Sequence, residues 1–142
     1  MDKNLELQLV QDYPDLYKDY DGDERKTCMH WGFEHNNGWL EIIKELSEKL
    51  KLISEVSGIE IVADQVKSKF GTLSYYYSTN RQYDKTSPDY LWLMIIRDVV
   101  IMAERKSAVT CELCGEYGKI RPGGWIRTLC EGCNKNKYKR YL

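Results

Sequence analysis

The chain of 142 residues lacks a long uninterrupted apolar run. Its longest apolar stretch, from Tyr90 to Ala103, contains Arg97 and Asp98, so it is too short and too charged to span a bilayer. A signal-peptide pattern is also missing, and we therefore expect a cytoplasmic protein in a reducing compartment. The composition, 42% hydrophobic and 30% charged, is ordinary for one globular core with a small appendage.

Familiar catalytic motifs are missing as well. The sequence contains no P-loop, dinucleotide fingerprint, Gly-x-Ser-x-Gly elbow or metalloprotease helix motif. Cys28 with His30 or His35 could supply a nucleophile and a base, but the sequence shows neither their contact nor an oxyanion site. The same three residues are candidate ligands of a second metal ion, with loop packing or ligand contact as the alternative. We predict a protein that is not an enzyme, and a hydrolase using this loop is the third choice.

A strong net charge is also lacking, with 21 Lys and Arg against 22 Asp and Glu. This balance hides a division, because residues 1–104 carry 12 basic against 19 acidic residues and residues 105–142 carry 9 against 3. Proteins that grip long nucleic acids usually need a broad cationic surface, which only the last quarter of the chain supplies. A compact anionic ligand needs two or three cationic side chains and a ring to stack on. The charge pattern favours the compact ligand.

Four cysteines near the C-terminus are the strongest positive signal. Cys111, Cys114, Cys130 and Cys133 follow the spacing C-x2-C-x15-C-x2-C, which is typical of a zinc ribbon. Four thiolates fill the coordination shell of a tetrahedral zinc ion and leave no position for a reactive water, so we expect the zinc to be structural. Two disulfides are the alternative, but the spacing and the missing signal peptide favour metal.

Hydrophobic periodicity predicts an α+β fold, with helices packed on a small antiparallel sheet and a C-terminal zinc ribbon. The two longest strands should be joined by a turn at residues 69–71. Residues 27–39 are too rich in Gly, Asn and aromatic residues for regular structure. The predicted elements are helices at residues 4–13, 39–57 and 87–106, strands at 59–68 and 72–78, and a ribbon hairpin with strands at 119–121 and 125–129. We place an α+β body at 1–106 and a zinc ribbon with a basic tail at 107–142.

Seven residues are candidates for binding an anionic ligand. Guanidinium groups match phosphate geometry, and aromatic rings offer stacking planes. Tyr76 should face away from Tyr75 and Tyr77, because side chains alternate along a strand. Trp125 has an alternative role as the cover of a small ribbon core, with the neighbouring charges simply solvated. The candidates are Trp31, His35, Lys69, Tyr76, Arg121, Trp125 and Arg127.

Several short motifs carry a family resemblance. They are Trp31-Gly32-Phe33-Glu34 with Asn37-Gly38-Trp39, Lys67-Ser68-Lys69-Phe70-Gly71-Thr72-Leu73 with three tyrosines at 75–77, and Cys111-Glu112-Leu113-Cys114-Gly115 with Gly124-Trp125-Ile126-Arg127-Thr128-Leu129-Cys130. Together they resemble a family of small zinc-ribbon proteins encoded by bacteriophages and prophages. The chain departs from that family at Ser74, where arginine is frequent, and at Cys133, where histidine often closes the ribbon. The resemblance implies a phage-linked role, in which small proteins commonly counter host defence by binding host proteins or sequestering signalling nucleotides.

We therefore predict a non-catalytic protein that captures a small anionic, nucleotide-like ligand, such as a host immune signal. Its pocket should be shared by the loop at residues 31–39, the strand turn and the ribbon hairpin. A homo-oligomer is expected, because such pockets are often completed across symmetric interfaces that long apolar helices can supply. The alternative is a zinc-ribbon adaptor that contacts nucleic acid or a host protein through Lys135, Lys137, Lys139 and Arg140.

Overall fold

The computed structural model describes residues 1–137 and has the predicted α+β architecture. The basic-tail residues Lys139 and Arg140 lie outside the described residues. Each predicted helix and strand is present with ends that agree to within two residues. The helices are α1 (Lys3–Asp12), α2 (Leu40–Ser57), α3 (Asp89–Ser107) and α4 (Glu131–Lys137), and the strands are β1 (Phe33–Glu34), β2 (Ile61–Lys69), β3 (Thr72–Thr79), β4 (Lys119–Arg121) and β5 (Arg127–Leu129).

The two long helices pack on the sheet through one face each. α2 ends where Gly58 adopts a left-handed conformation, with φ of +73°, and its N–H bonds to the carbonyl of Ser54 at 2.9 Å. α3 buries its Leu93, Ile96 and Val100 face. Within residues 1–137, no helix combines the length and apolar composition that crossing a bilayer requires.

The main sheet has the order β1-β2-β3. β2 and β3 are antiparallel, and the turn between them contains Phe70 and Gly71, both with positive φ (+52° and +86°), as a tight two-residue hairpin requires. β1 pairs with β2 in parallel, with Phe33 opposite Val66. The prediction that residues 27–39 lack regular structure is wrong, because the segment contains β1 and two short 3₁₀ helices at Cys28–Trp31 and Asn37–Trp39. β1 is specified by pairing with a distant segment rather than by a local pattern.

A buried carboxylate positions the segment that leads into β1. Glu6 on α1 is only 6% exposed, and its Oε1 accepts a hydrogen bond from the Phe33 amide at 3.0 Å. Its Oε2 accepts a second bond from the Tyr20 hydroxyl at 2.7 Å. Gly32 has φ of +69°, and a Cβ there would lie 3.0 Å from the Glu6 carboxylate. The loop is therefore held against α1 at the place where β1 begins.

The last described residues form a small unit, which we call the C-terminal module (residues 108–137). It contains the β4–β5 hairpin and α4, and it docks on the preceding part of the chain, which we call the body (residues 1–107). Among the described residues, three hydrogen bonds between segments far apart in the sequence make this attachment, which we call the joint. They run from Gly38 N to Glu112 O (2.8 Å), from Trp39 Nε1 to Thr110 O (2.8 Å) and from Thr128 Oγ1 to Gly71 O (2.7 Å).

Gly38 is sterically required at the joint. A Cβ at this position would lie 2.1 Å from the Cys111 carbonyl oxygen and 2.5 Å from the Glu112 carbonyl. Trp39, the next residue, is fully buried. The Asn-Gly-Trp, Phe-Gly-Thr and cysteine-containing motifs of the sequence therefore meet at one place, where they attach the module to the body.

Candidate metal centre and adjoining groove

The four predicted metal-ligating cysteines converge in the C-terminal module. Their Sγ atoms all lie within 4.8 Å of one another, and those of Cys114 and Cys130 are 3.6 Å apart. Thiolates bound at about 2.3 Å to a tetrahedral ion are separated by about 3.8 Å. The cluster therefore fits one four-coordinate metal ion.

Main-chain amides are directed at the cysteine sulfurs. The Cys133 N–H lies 3.3 Å from the Cys130 Sγ. Burial acts to raise the pKa of Cys111, but amide hydrogen bonds from residues 130, 114 and 113 outweigh it and bring that pKa to about 7. Gly115, with φ of +83°, turns the chain directly after the first pair. All the cysteines are free thiols, so the alternative of two disulfides is not observed.

The proposed second metal site at Cys28, His30 and His35 does not form. The Nδ1 of His30 lies 2.7 Å from the Gly22 carbonyl oxygen, while the Nδ1 of His35 lies 2.8 Å from that of Asn36. Among residues 1–137, the four C-terminal cysteines are the one group arranged for metal binding. Neither imidazole is hydrogen-bonded to Cys28 in the described part of the chain, so the nucleophile–base contact is not seen either.

An open groove of about 1230 Å³ adjoins the cysteine cluster. Its walls come from Met1 and Asp2, the segment around β1, the end of β2 and the C-terminal module. The sequence predicts a pocket at the loop of residues 31–39, the strand turn and the ribbon hairpin, but the turn residues 69–71 are not part of this lining. Cys114 and Cys133 form part of the lining, so the metal centre shapes one wall. The lining also contains Glu34, His35, Lys67, Glu112, Trp125 and Arg127.

Trp125 presents its ring at this groove. It is 74% exposed, which is unusual for so large an apolar side chain. The alternative in which Trp125 covers a ribbon core is therefore not observed. The ring is available as a stacking surface.

Arg127 has a structural partner that sequence reasoning missed. Its Nε donates to Glu112 Oε2 at 3.1 Å, and Glu112 is only 2% exposed. A buried carboxylate is stabilised by a paired cation, and removing that cation strongly lowers the free energy of unfolding. No hydrogen bond within residues 1–137 engages the two terminal nitrogens of Arg127, which can contact a ligand while Nε holds Glu112.

Arg121 stabilises the module instead of lining the groove. Its Nε donates to the Leu129 carbonyl at 3.2 Å, and its Nη2 bonds to Glu131 Oε1 at 2.8 Å. Arg121 and Arg127 are paired across β4 and β5, as the predicted hairpin implies. The guanidinium groups nevertheless have different partners, which the strand pattern alone does not reveal.

His35 is a buried hydrogen-bond acceptor at the groove. The residue is 4% exposed, and burial lowers its pKa to about 4, so the ring is neutral at neutral pH. A carbonyl can only accept, so Nδ1–H donates to Asn36 O and Nε2 carries the lone pair. Nε2 has no hydrogen-bond partner among the described residues.

Three further candidates lie on the surface near these segments but are not among the residues that line the groove. Trp31 is 62% exposed and packs edge-on against His30. Lys69 lies 5.9 Å from the ring of Phe70. Tyr76 is 43% exposed on the outer face of β3 and lies under the ammonium of Lys67 at 5.9 Å. Lys67 lies two residues before Lys69, on the same face of β2. Lys67 lines the groove, although the sequence analysis selected only Lys69.

The metal centre and the groove form one continuous site. Cys114 and Cys133 belong to both, while four thiolate ligands leave the ion no open coordination position. An ion held by all four thiolates would have no open position for a ligand, whereas the adjoining groove has room for one. No family model, curated protein or solved structure matches this chain, and its function is inferred from the geometry of this site.

Proposed function

We propose that the protein binds a small anionic, nucleotide-like ligand in the groove and releases it unchanged. The observation that carries this proposal is the placement of the exposed Trp125 ring in one groove with Lys67 and Arg127. An aromatic plane stacks on a base, and cationic side chains contact phosphate oxygens. This combination is what a nucleotide requires and is more than an inorganic anion needs.

The mixed polarity of the groove supports a nucleotide over a bare anion. Besides Lys67 and Arg127, the lining includes Met1, whose ammonium donates to the carbonyls of Phe33 and His35, the acidic residues Asp2, Glu34 and Glu112, and the unpartnered Nε2 of His35. The carboxylates and this Nε2 accept hydrogen bonds, and nucleobases carry N–H donors. Glu112 forms an ion pair with Arg127, whereas Glu34 accepts only a 3.4 Å hydrogen bond from the neutral Gln65 amide and keeps its charge as an acceptor for base N–H groups.

The metal in this proposal is Zn²⁺, which favours a tetrahedral set of four thiolates. The ion holds the two cysteine pairs together and so keeps the wall formed by Cys114 and Cys133 in place. The resemblance to phage-encoded proteins supports a biological role in removing a host signalling nucleotide. Such a role needs tight capture and no turnover.

The proposal includes self-association. α3 exposes Leu91 and Met102, which are 65% and 61% accessible and lie outside the buried face of that helix. Exposed apolar faces of this kind are often covered in symmetric oligomers. Sedimentation velocity over a range of concentrations tests this part, and a monomer throughout would refute it without affecting the groove.

Calorimetric titration with adenosine monophosphate, cyclic dinucleotides and inorganic phosphate tests the main proposal. We expect saturable binding of nucleotides, recovery of the intact nucleotide, and no comparable binding of phosphate. Trp125→Ala should weaken nucleotide binding roughly 5-fold to 150-fold, because one stacking contact is lost, with stability nearly unchanged.

The matched control is Trp31→Ala, which removes another highly exposed indole that is not part of the groove lining and should leave affinity unchanged. Lys67→Met is the cation variant of choice, because Arg127→Ala would also leave Glu112 buried without its partner. Absence of binding to every nucleotide would overturn the proposal. Conversion of the nucleotide would overturn its non-catalytic part.

A further inference from the structure

We propose that the ligand of the groove is an oligonucleotide of two or three nucleotides, linear or cyclic, and that Phe70 supplies a second stacking ring. This inference rests on the nucleotide-binding function proposed above. It is carried by the size of the groove, by the conformation and exposure of Phe70, and by the contact between the two hairpins.

The groove is larger than one nucleotide needs. Its volume is about 1230 Å³, whereas pockets for drug-sized molecules are typically about 300–1000 Å³. It is also open to solvent and is bounded by the N-terminal residues, the segment around β1, the end of β2 and the C-terminal module. A ligand with a single base would leave much of this space filled with water.

Phe70 is an unusual residue for the turn position that it occupies. It occupies the tip of the β2–β3 hairpin with φ of +52°, a region that bulky residues seldom adopt and where Asn, Asp and Gly are preferred. Its ring is 74% exposed and is absent from the hydrophobic core. Strained residues of this kind concentrate at functional sites.

The joint brings this tip close to Trp125. A Cβ on Gly71 would lie 3.2 Å from Ile126 Cγ2, and the Gly71 carbonyl accepts a hydrogen bond from Thr128. Phe70 directly precedes Gly71 in the chain, and Trp125 directly precedes Ile126. Two highly exposed aromatic residues are therefore sequence neighbours of the contact between the hairpins; Trp125 lines the groove, whereas Phe70 is not among its lining residues.

Cations accompany both rings. Lys69 Nζ lies 5.9 Å from the centroid of Phe70, and Lys67 and Arg127 line the groove beside Trp125. Rings interleaved with cations are the arrangement that binds short single strands, in which bases stack and phosphates meet positive charge. We assign one base to Trp125, the next to Phe70 and the intervening phosphate to Lys67 and Arg127.

The test compares deoxyadenosine monophosphate with the linear di-, tri- and hexanucleotides of deoxyadenylate and with a cyclic di-adenylate, by calorimetry or fluorescence polarisation. We expect the di- or trinucleotide to bind at least about tenfold more tightly than the mononucleotide, since a second stacking contact is gained. If two phosphates are contacted, log K should fall against log salt with a slope of about −1.4. The linear and cyclic arms identify which form of the ligand fits.

Phe70→Asn removes the ring at a position where Asn is tolerated. It should weaken trinucleotide binding roughly 5-fold to 150-fold while leaving mononucleotide binding unchanged. Phe70→Tyr, which keeps a ring, should retain affinity. Tyr83→Ala, which removes an exposed ring from the segment between β3 and α3, is the matched control and should have no effect.

Equal affinities for the mono- and trinucleotide, or an unaffected trinucleotide affinity in Phe70→Asn, would overturn this inference and leave the proposed nucleotide binding intact. A hexanucleotide that binds far more tightly than the trinucleotide would also overturn it, because it would indicate a long single strand. Absence of binding to every nucleotide, the mononucleotide included, would instead refute the proposed function itself.

Discussion

The body and the C-terminal module are stabilised in different ways. Every member of the main hydrophobic cluster lies between Leu9 and Ala103. In the module only Cys111 and Leu129 are buried apolar residues, whereas Tyr117 and Trp125 are at least 70% exposed. A unit of about this size cannot bury enough apolar surface to fold alone. The body therefore has its own core, whereas the module has little core of its own and contains the candidate metal site and one side of the joint.

The groove lies between these two regions and depends on both. Its body side contains His35 and Lys67, and its module side contains Trp125 and Arg127. A perturbation that displaces the module should abolish ligand binding even when the body remains folded. Each of the following predictions tests this division.

Metal removal should have the largest effect. In Cys130→Ser or after chelation, we expect amide protection to disappear across residues 108–137 and to persist in α2, β2 and β3, because structural zinc contributes folding free energy of about 10 kcal/mol or more. Hydrogen exchange and metal analysis measure this, with about one zinc per chain in the native protein. Cys28→Ser, which removes a cysteine outside the cluster, is the control. Loss of protection in the whole chain would show that the body has no independent stability.

Gly38→Ala should have the next largest effect. Its Cβ would collide with the carbonyls of Cys111 and Glu112, so the joint must open or shift. We expect a loss of about 3 kcal/mol in the free energy of unfolding, at the upper end of overpacking costs, together with loss of ligand binding. Gly124→Ala is a matched control, since a Cβ there meets no atom within 4 Å. Equal unfolding midpoints for the two variants in urea would contradict a close joint.

The smallest effect should be the contribution of His35 to the pH dependence of the free energy of unfolding. Its pKa is about 4 in the folded protein and 6.5 in the unfolded chain, so the unfolded chain binds more protons between these values. Stability should therefore fall as the pH drops below 6.5 and should be lower by about 2 kcal/mol at pH 5 from this group alone. His35→Gln should lack this component, measured as the difference between wild type and variant in urea unfolding at pH 5 and pH 7. An identical pH slope in both proteins would show that His35 is not buried as a neutral ring.

Local patterns in the sequence predicted most of the fold. The apolar spacing of α2 and the glycine after it placed that helix to within one residue, and Phe70-Gly71 marked the hairpin between β2 and β3. The cysteine spacing predicted the cluster itself. These features depend on residues that are close together in sequence, so local patterns contain the necessary information.

The sequence did not reveal which candidate side chains share a surface. It grouped Arg121 with Arg127, but Arg121 bonds to Glu131 while Arg127 lies at the groove with Glu112. It also preferred Lys69 to Lys67. The two residues of each pair have similar local contexts, and only contacts with distant segments distinguish them.

The sequence by itself determined the four-cysteine cluster and the principal helices and strands. Only the tertiary structure decided that Phe33 pairs with Val66, that Gly38 must be a glycine, and that His35 is buried with a free acceptor nitrogen. The preferences of a segment for a helix, a turn or a metal-binding cysteine pair are set by residues close together in the sequence. The joint and the groove arise where segments far apart in sequence pack together, and steric fit and desolvation at that contact are properties of the folded chain alone.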